Sequence, residues 1–151
     1  MDKQIICTAS AEETEAAGAA LAIRIWQKNG ASPCFVAMEG DLGAGKTAFV
    51  RGFASILSPG SRVKSPTYTI VNEYRRGAYP LFHFDLYRLD DADGLESIGF
   101  EEYLASGICI AEWSEKLGED RPAGAWSVII EKTGEDTRQI TILSPEKESS
   151  C

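Results

Sequence analysis

A chain of 151 residues with 44% hydrophobic and 25% charged residues has the composition of one ordinary globular domain, which excludes a fibrous or disordered protein. Its formal net charge of −8 repels a phosphate backbone, so direct binding of DNA or RNA is disfavoured as the main activity. The four cysteines are widely spaced without a C-x-x-C pair, and no apolar run approaches the ~18 residues of a membrane span. We therefore expect no membrane association and a location in reducing cytoplasm.

The first part of the chain alternates between strand and helix patterns. An edge strand is predicted at 4–8, followed by a helix that Ser10 caps and that runs to about Lys28. The apolar run at 34–38 indicates a strand covered on both faces, and 47–57 is predicted to be helical.

The rest of the chain is rich in short strands. A hairpin is predicted at residues 68–85, a helical stretch at 90–104 and a buried strand at 108–111. A second hairpin is predicted at 126–143. The helical stretch is expected to be interrupted at Gly94 and at Gly99.

The segment GDLGAGKT at residues 40–47 matches the phosphate-binding pattern G-x-x-x-x-G-K-[ST] in full, between a predicted buried strand and a predicted helix. Its glycines let backbone N–H groups reach phosphate oxygens, Lys46 supplies a charge to the β- and γ-phosphates, and Thr47 supplies a hydroxyl ligand for Mg²⁺. The charge of Asp41 opposes phosphate unless it points away, so its role stays open. The ATP-binding residues predicted from this P-loop are Gly40, Asp41, Leu42, Gly43, Ala44, Gly45, Lys46 and Thr47.

A P-loop site also needs a carboxylate at the end of a neighbouring strand to hold the metal or its waters. Asp85 and Glu112 each follow a short, mainly apolar run, so both are expected at the carboxyl edge of the sheet, where ligands bind in open α/β folds. We predict that Asp85 binds Mg²⁺ and that Glu112 orients or activates water. For each residue alone, a solvated carboxylate at a strand end is an equal alternative.

Three smaller signals complete the site. The connection after the P-loop helix contains Thr67, where P-loop enzymes place a switch hydroxyl near the γ-phosphate; a simple turn is the alternative. His83 is interpreted as a packed or edge residue rather than as a metal ligand. The sequence contains no N-K-x-D motif for reading guanine, so GTP specificity has no support and ATP with Mg²⁺ is favoured.

Together these patterns predict an α/β protein with a single P-loop NTPase domain. Its sheet is expected to be mixed, parallel near the P-loop and antiparallel at the hairpins, and flanked by helices. The domain is predicted to span residues 1–143, and residues 144–151 are expected to form a polar, frayed tail.

Four segments in this order resemble the TsaE (YjeE) family of small bacterial ATPases, and the resemblance runs from the first strand to about Leu143. The segments are GDLGAGKT, SPTYTIVNEY at 65–74, HFDLYRL at 83–89 and AEW at 111–113. The D-x-Y-R element and the glutamate-tryptophan pair separate this pattern from that of generic P-loop proteins.

The resemblance implies a role in making threonylcarbamoyladenosine at position 37 of tRNAs that read codons beginning with A. Family members act with the TsaD and TsaB proteins, so contact with tRNA would be indirect, and their own ATP hydrolysis is slow. The resemblance further implies metal contacts for Thr47, Asp85 and Glu112 and a catalytic switch position for Thr67. It also implies that Thr14 lies near the nucleoside and that Arg138 lies near the nucleotide.

Two other functions remain open at this stage. Many small-molecule kinases are short P-loop domains, but they carry a lid with several arginines, and the segment after Asp85 offers only Arg88 and the later Arg121. A nucleotide-dependent binding module with little catalysis is the other alternative.

Overall fold

The structure, a computed structural model, describes residues 2–41, 43–64, 70–87 and 92–145. Within these residues, the strands are β1 (Lys3–Thr8), β2 (Cys34–Glu39), β3 (Val71–Tyr74), β4 (Leu81–Asp85), β5 (Ile108–Glu112), β6 (Trp126–Lys132) and β7 (Arg138–Leu143). The helices are α1 (Ala11–Asn29), α2 (Lys46–Leu57), α3 (Ala92–Ser97), α4 (Phe100–Ser106) and a 3-10 helix at Ser114–Asp120.

The seven strands described form one sheet in the order β1-β7-β6-β2-β5-β4-β3. The four strands β6, β2, β5 and β4 are parallel to one another, whereas β1 pairs with β7, β7 with β6, and β3 with β4 in antiparallel fashion. The predicted mixed sheet, parallel around the P-loop and antiparallel at the hairpins, is therefore confirmed. The carboxyl ends of the parallel strands meet at one edge, and the P-loop leaves from that edge.

The two faces of the sheet carry separate apolar clusters because side chains alternate along each strand. On β2, Val36 and Met38 belong to the cluster formed with α1 and α2, whereas Phe35 and Ala37 belong to the cluster formed with α3, α4 and the 3-10 helix. Strand β2 is thus covered on both faces, as its continuous apolar run predicts.

Helices α1 and α2 approach each other closely through two glycines. A Cβ atom at Gly18 would lie 2.0 Å from the carbonyl oxygen of Phe49, and one at Gly52 would lie 1.7 Å from that of Glu15. Ser10 caps α1 by accepting a hydrogen bond from the backbone N–H of Glu13, as predicted. The close packing fixes α1 beside the start of α2, where the P-loop ends.

Two local features differ from the sequence predictions, and one agrees with them. Helix α3 continues through Gly94, so the interruption predicted there is wrong, while the break at Gly99 is confirmed by its left-handed φ of 76°. A glycine inside a helix costs only ~1 kcal/mol, which packing of Leu95 into the core offsets. The 3-10 helix after β5 was not predicted from the sequence.

The end of the domain is held by the residue that precedes its first strand. Ser144 is buried, accepts a hydrogen bond from the Asp2 backbone N–H and donates its own backbone N–H to the Asp2 carbonyl. The rest of the predicted tail, from residue 146 onward, lies outside the described residues. In the part of the chain that the structure describes, no helix is both long and apolar enough to cross a bilayer.

Candidate nucleotide-binding site

The P-loop connects the end of β2 to the start of α2. Gly43 and Gly45 have φ values of 78° and 98°, in the left-handed region that disfavours residues with a Cβ. A Cβ at Gly40 would lie 2.6 Å from the carbonyl oxygen of Ile130 on β6, so only glycine fits there. No side chain of the described residues caps the start of α2, and the first backbone N–H groups of the helix face the loop. Leu42 lies outside the described residues.

The Lys46 side chain is folded into the loop and is only 5% exposed. Its Nζ donates to the carbonyl oxygen of Gly40 at 2.5 Å and lies 3.6 Å from the ring centroid of Trp113. Burial lowers the pKa of Lys46, and the nearby carboxylates, Glu112 first among them and Asp85 also, oppose that decrease. The ammonium group is therefore desolvated and surrounded by negative charge, at the position where a phosphate would meet it.

Asp85 and Glu112 lie next to each other at the carboxyl edge of the sheet. They are paired in register at the ends of the parallel strands β4 and β5, so both side chains leave the sheet on the same face. Glu112 is 4% exposed, and Asp85 is partly buried and accepts the backbone N–H of Tyr87 at its Oδ1. The structure thus brings together the two carboxylates that the strand ends predicted, beside Lys46.

His83 contacts Glu112 of this carboxylate pair, which the sequence interpretation missed. Its Nε2 lies 2.5 Å from Oε2 of Glu112, and its side chain is fully buried. His83 is a packed residue, as predicted, but it packs against an acid of the site. The signal lay in the H-x-D spacing, because residues two apart on a strand share a face.

The acidic side chains beside the P-loop fit a Mg²⁺ ion that is shared with nucleotide phosphates better than they fit a metal ion whose ligands all come from the protein. Among the described residues, no group of three or more histidine, cysteine or acidic side chains is arranged to hold a metal ion. Mg²⁺ commonly keeps several waters and takes only one or two carboxylates together with nucleotide phosphates. The Thr47 hydroxyl on the first turn of α2, with Asp85 and Glu112, fits that donor set. Thr67 lies outside the described residues.

Thr14 and Arg138 both lie beside the P-loop, on the opposite side from the carboxylates. A Cβ at Gly45 would be 3.8 Å from Cγ2 of Thr14 and 3.8 Å from Nε of Arg138. The guanidinium group donates to the carbonyl oxygens of Ala44 at 3.0 Å and Gly43 at 3.2 Å. A cavity of about 410 Å³ opens here, lined in part by Ser10, Thr14, Gly45, Ala48 and Arg138. That volume is in the range of small-ligand sites.

Trp113, directly after β5, packs over Lys46 of the P-loop. Among the residues that the structure describes, it is the one non-glycine residue with a positive φ, at 61°. Its ring covers Lys46 and also packs on Tyr87, with 5.0 Å between ring centroids. A bulky residue in this conformation is strained, and such strain persists only where surrounding contacts hold it. The sequence analysis did not identify this contact with Lys46.

The fold and the site define an α/β protein of the P-loop NTPase class. The features that define it are strand β2, the P-loop and α2, with acidic residues at the ends of the neighbouring parallel strands. A sequence model of one family, described as "Threonylcarbamoyl adenosine biosynthesis protein TsaE", matches residues 8–140. The chain belongs to the TsaE family.

Individual relatives agree with this assignment. The chain is 43% identical to a "tRNA threonylcarbamoyladenosine biosynthesis protein TsaE" of Bacillus subtilis, over 71% of this chain and 67% of the relative. It is 49% identical to the protein of the same name from Haemophilus influenzae, over 72% and 69% of the two chains. The crystal structure of Bacillus subtilis YdiB superposes with a TM-score of 0.74 at 34% identity, covering 96% of this chain and 87% of YdiB.

Proposed function

We propose that this chain is a Mg²⁺-dependent ATPase required for threonylcarbamoyladenosine modification at position 37 of tRNAs that read codons beginning with A, and that it acts with TsaD and TsaB. The names of its relatives support the pathway. The observation that carries the ATPase proposal is the buried Lys46 in a glycine loop, with Asp85 and Glu112 paired beside it.

The P-loop binds the phosphates in this proposal. The left-handed Gly43 and Gly45 and the uncapped start of α2 supply backbone N–H groups to phosphate oxygens. Lys46 exchanges the Gly40 carbonyl for a phosphate oxygen, which is the stronger, charge-assisted partner. The cavity beside Thr14 and Gly45 receives the nucleoside.

The acidic side of the loop performs the chemistry. Mg²⁺, when bound, neutralises charge on the β- and γ-phosphates. Thr47 and Asp85 hold it, and Glu112 holds the ion or orients the attacking water from a site that is almost closed to solvent. Thr67 is proposed to place its hydroxyl near the γ-phosphate.

Two arginines beside the loop already bind protein oxygens. Arg121 donates to Glu39 at 2.9 Å, and Arg138 donates to loop carbonyls. Neither is thus available as an arginine finger without losing these contacts, which supports slow hydrolysis by the chain alone. The net charge of −8 suits a basic surface on a protein partner better than tRNA.

The test combines the full chain with TsaD, TsaB and tRNA and measures phosphate release and modified adenosine by mass spectrometry. Lys46→Ala and Asp85→Ala are each expected to lower hydrolysis by ~100-fold or more, because each removes a group that stabilises the transferring phosphoryl charge. Lys3→Ala, at an exposed position of β1, is the matched control and should match the wild type. Wild-type turnover in Lys46→Ala would contradict the site, and a phosphorylated metabolite in place of free phosphate would favour a kinase.

A further inference from the structure

A buried imidazole lies behind the carboxylates, and nothing in the proposed reaction uses it. His83 is 0% exposed and its Nε2 lies 2.5 Å from Oε2 of Glu112. Its other nitrogen, Nδ1, is buried without a hydrogen-bond partner among the described residues. Buried polar atoms usually have partners, since leaving one unpaired costs stability.

The position does not need a polar residue for folding. On the face of the sheet that carries His83, its neighbours Leu81 on β4 and Ile110 on β5 are buried apolar side chains. An apolar side chain at 83 would fill the same interior without an unpaired Nδ1. The histidine is therefore explained by its one polar contact, the hydrogen bond to Glu112.

The sheet register makes this contact independent of loops. His83 pairs with Ile110, and Asp85 pairs with Glu112, two residues further along the same parallel strands. His83 is thus the diagonal neighbour of Glu112 and shares a face with Asp85. The ring of Tyr74 on β3 lies near the imidazole, at 6.3 Å between centroids.

We propose that His83 is a positioning residue for Glu112. This inference rests on the proposed ATPase function. The Nε2–H of His83 donates to Oε2 and fixes the carboxylate group, which leaves Oε1 for the metal or its water. A free Glu112 side chain would instead be drawn to the ammonium group of Lys46, since the two charges already interact. The hydrogen bond thereby keeps Lys46 available for phosphate.

Three substitutions separate positioning from packing. The amide nitrogen of Gln reaches about as far as Nε2, whereas that of Asn ends near the position of Nδ1, and Phe fills the space without a donor. In the full chain assembled with TsaD and TsaB, we expect His83→Gln to keep kcat within ~3-fold of wild type. His83→Asn and His83→Phe should lower kcat by ~10–100-fold, the usual effect of losing a group that orients a metal ligand. The KM for ATP should change much less.

A second readout does not depend on turnover. Calorimetric titration with a non-hydrolysable ATP analogue, with and without Mg²⁺, measures how much the ion contributes to binding. In His83→Phe, we expect Mg²⁺ to increase the affinity for the analogue at least ~10-fold less than in the wild type, while the affinity without Mg²⁺ is unchanged. His83→Gln should behave as the wild type. Thermal unfolding of each variant shows whether it is folded.

The outcomes are distinguishable. Wild-type kcat and Mg²⁺ dependence in His83→Phe would overturn the positioning role. Equal losses in His83→Gln and His83→Phe, in proportion to lost thermal stability, would show a merely structural role and overturn it too. If the wild-type chain shows no Mg²⁺-dependent binding of the analogue, the proposed function fails, and the inference about His83 fails with it.

Discussion

Arg138 joins the last hairpin to the P-loop, and its replacement is expected to weaken nucleotide binding because the loop loses a support. One end of the guanidinium group donates to the carbonyl oxygens of Ala44 and Gly43, and Nη1 donates to three carbonyls of the turn that precedes β7. With the loop carbonyls held on this side, the N–H groups of the loop are directed to the opposite side, where we propose that phosphate binds.

The magnitude follows from the two bonds to the loop. A hydrogen bond from a charged donor contributes ~1.5–3 kcal/mol, and the lower end applies here because the guanidinium group is partly exposed. Arg138→Ala loses both hydrogen bonds, which together stabilise the loop by up to ~3 kcal/mol. Water that binds in place of the side chain recovers part of this free energy. At 1.4 kcal/mol per tenfold, we expect the dissociation constant of Mg²⁺-ATP to rise by ~10–100-fold.

Arg138→Lys distinguishes loop positioning from a direct charge contact. Lysine keeps the charge but lacks the planar fork, so it cannot hold both carbonyls, and most of the loss should remain. Arg75→Ala removes an exposed, ion-paired arginine that follows the edge strand β3, far from the P-loop, and is the control. Calorimetry gives the dissociation constants. Near wild-type binding by Arg138→Lys, with a loss in Arg138→Ala alone, would refute the positioning argument.

The remaining predictions concern the fold. In Gly52→Ala, the new Cβ would meet the Glu15 carbonyl at 1.7 Å, so strain of ~1–3 kcal/mol or more should exceed the ~1 kcal/mol gain in helix propensity. We expect calorimetry to show a fall in Tm of several degrees for Gly52→Ala and no fall for Ser55→Ala, which changes an exposed residue on the same helix. An unchanged Tm in Gly52→Ala would contradict the close packing. Burial raises the pKa of the Cys109 thiol from 9.0 to about 12. The unfolded chain therefore loses this proton at a lower pH than the folded chain does, and the free energy of unfolding should fall as pH rises from 9 to 12. Urea unfolding across this range measures the slope, which Cys109→Ala should reduce; an identical slope would show that this thiol does not cause it.

Most of the fold could be predicted because its signals are local. The apolar runs that became β2 and β5, and the turn residues between the hairpin strands, depend on a few neighbouring residues. The continuation of α3 through Gly94 was not predictable in this way, since the packing of Leu95 against other elements decides it. The 3-10 helix after β5 likewise follows from tertiary contacts, such as the hydrogen bond from the Met38 backbone N–H to Ser114.

The positions of the site residues were predictable where a local pattern places them at a strand end or in a loop, and their roles remain predictions. The P-loop and the strand-end acids Asp85 and Glu112 belong to this class. The contact between His83 and Glu112 depends on the register of two strands that are distant in sequence, and the left-handed Trp113 depends on the packing around Lys46. The H-x-D spacing places His83 and Asp85 on one face of β4, but the residue order shows neither contact.

The central claim, that the P-loop binds Mg²⁺-ATP through Lys46, has a direct test. Calorimetric titration of the full chain with Mg²⁺ and a non-hydrolysable ATP analogue should give one site in the wild type. The dissociation constant should rise by ~10-fold or more in Lys46→Ala, which loses a charge-assisted contact to phosphate. Binding of equal strength in the two proteins would contradict the claim.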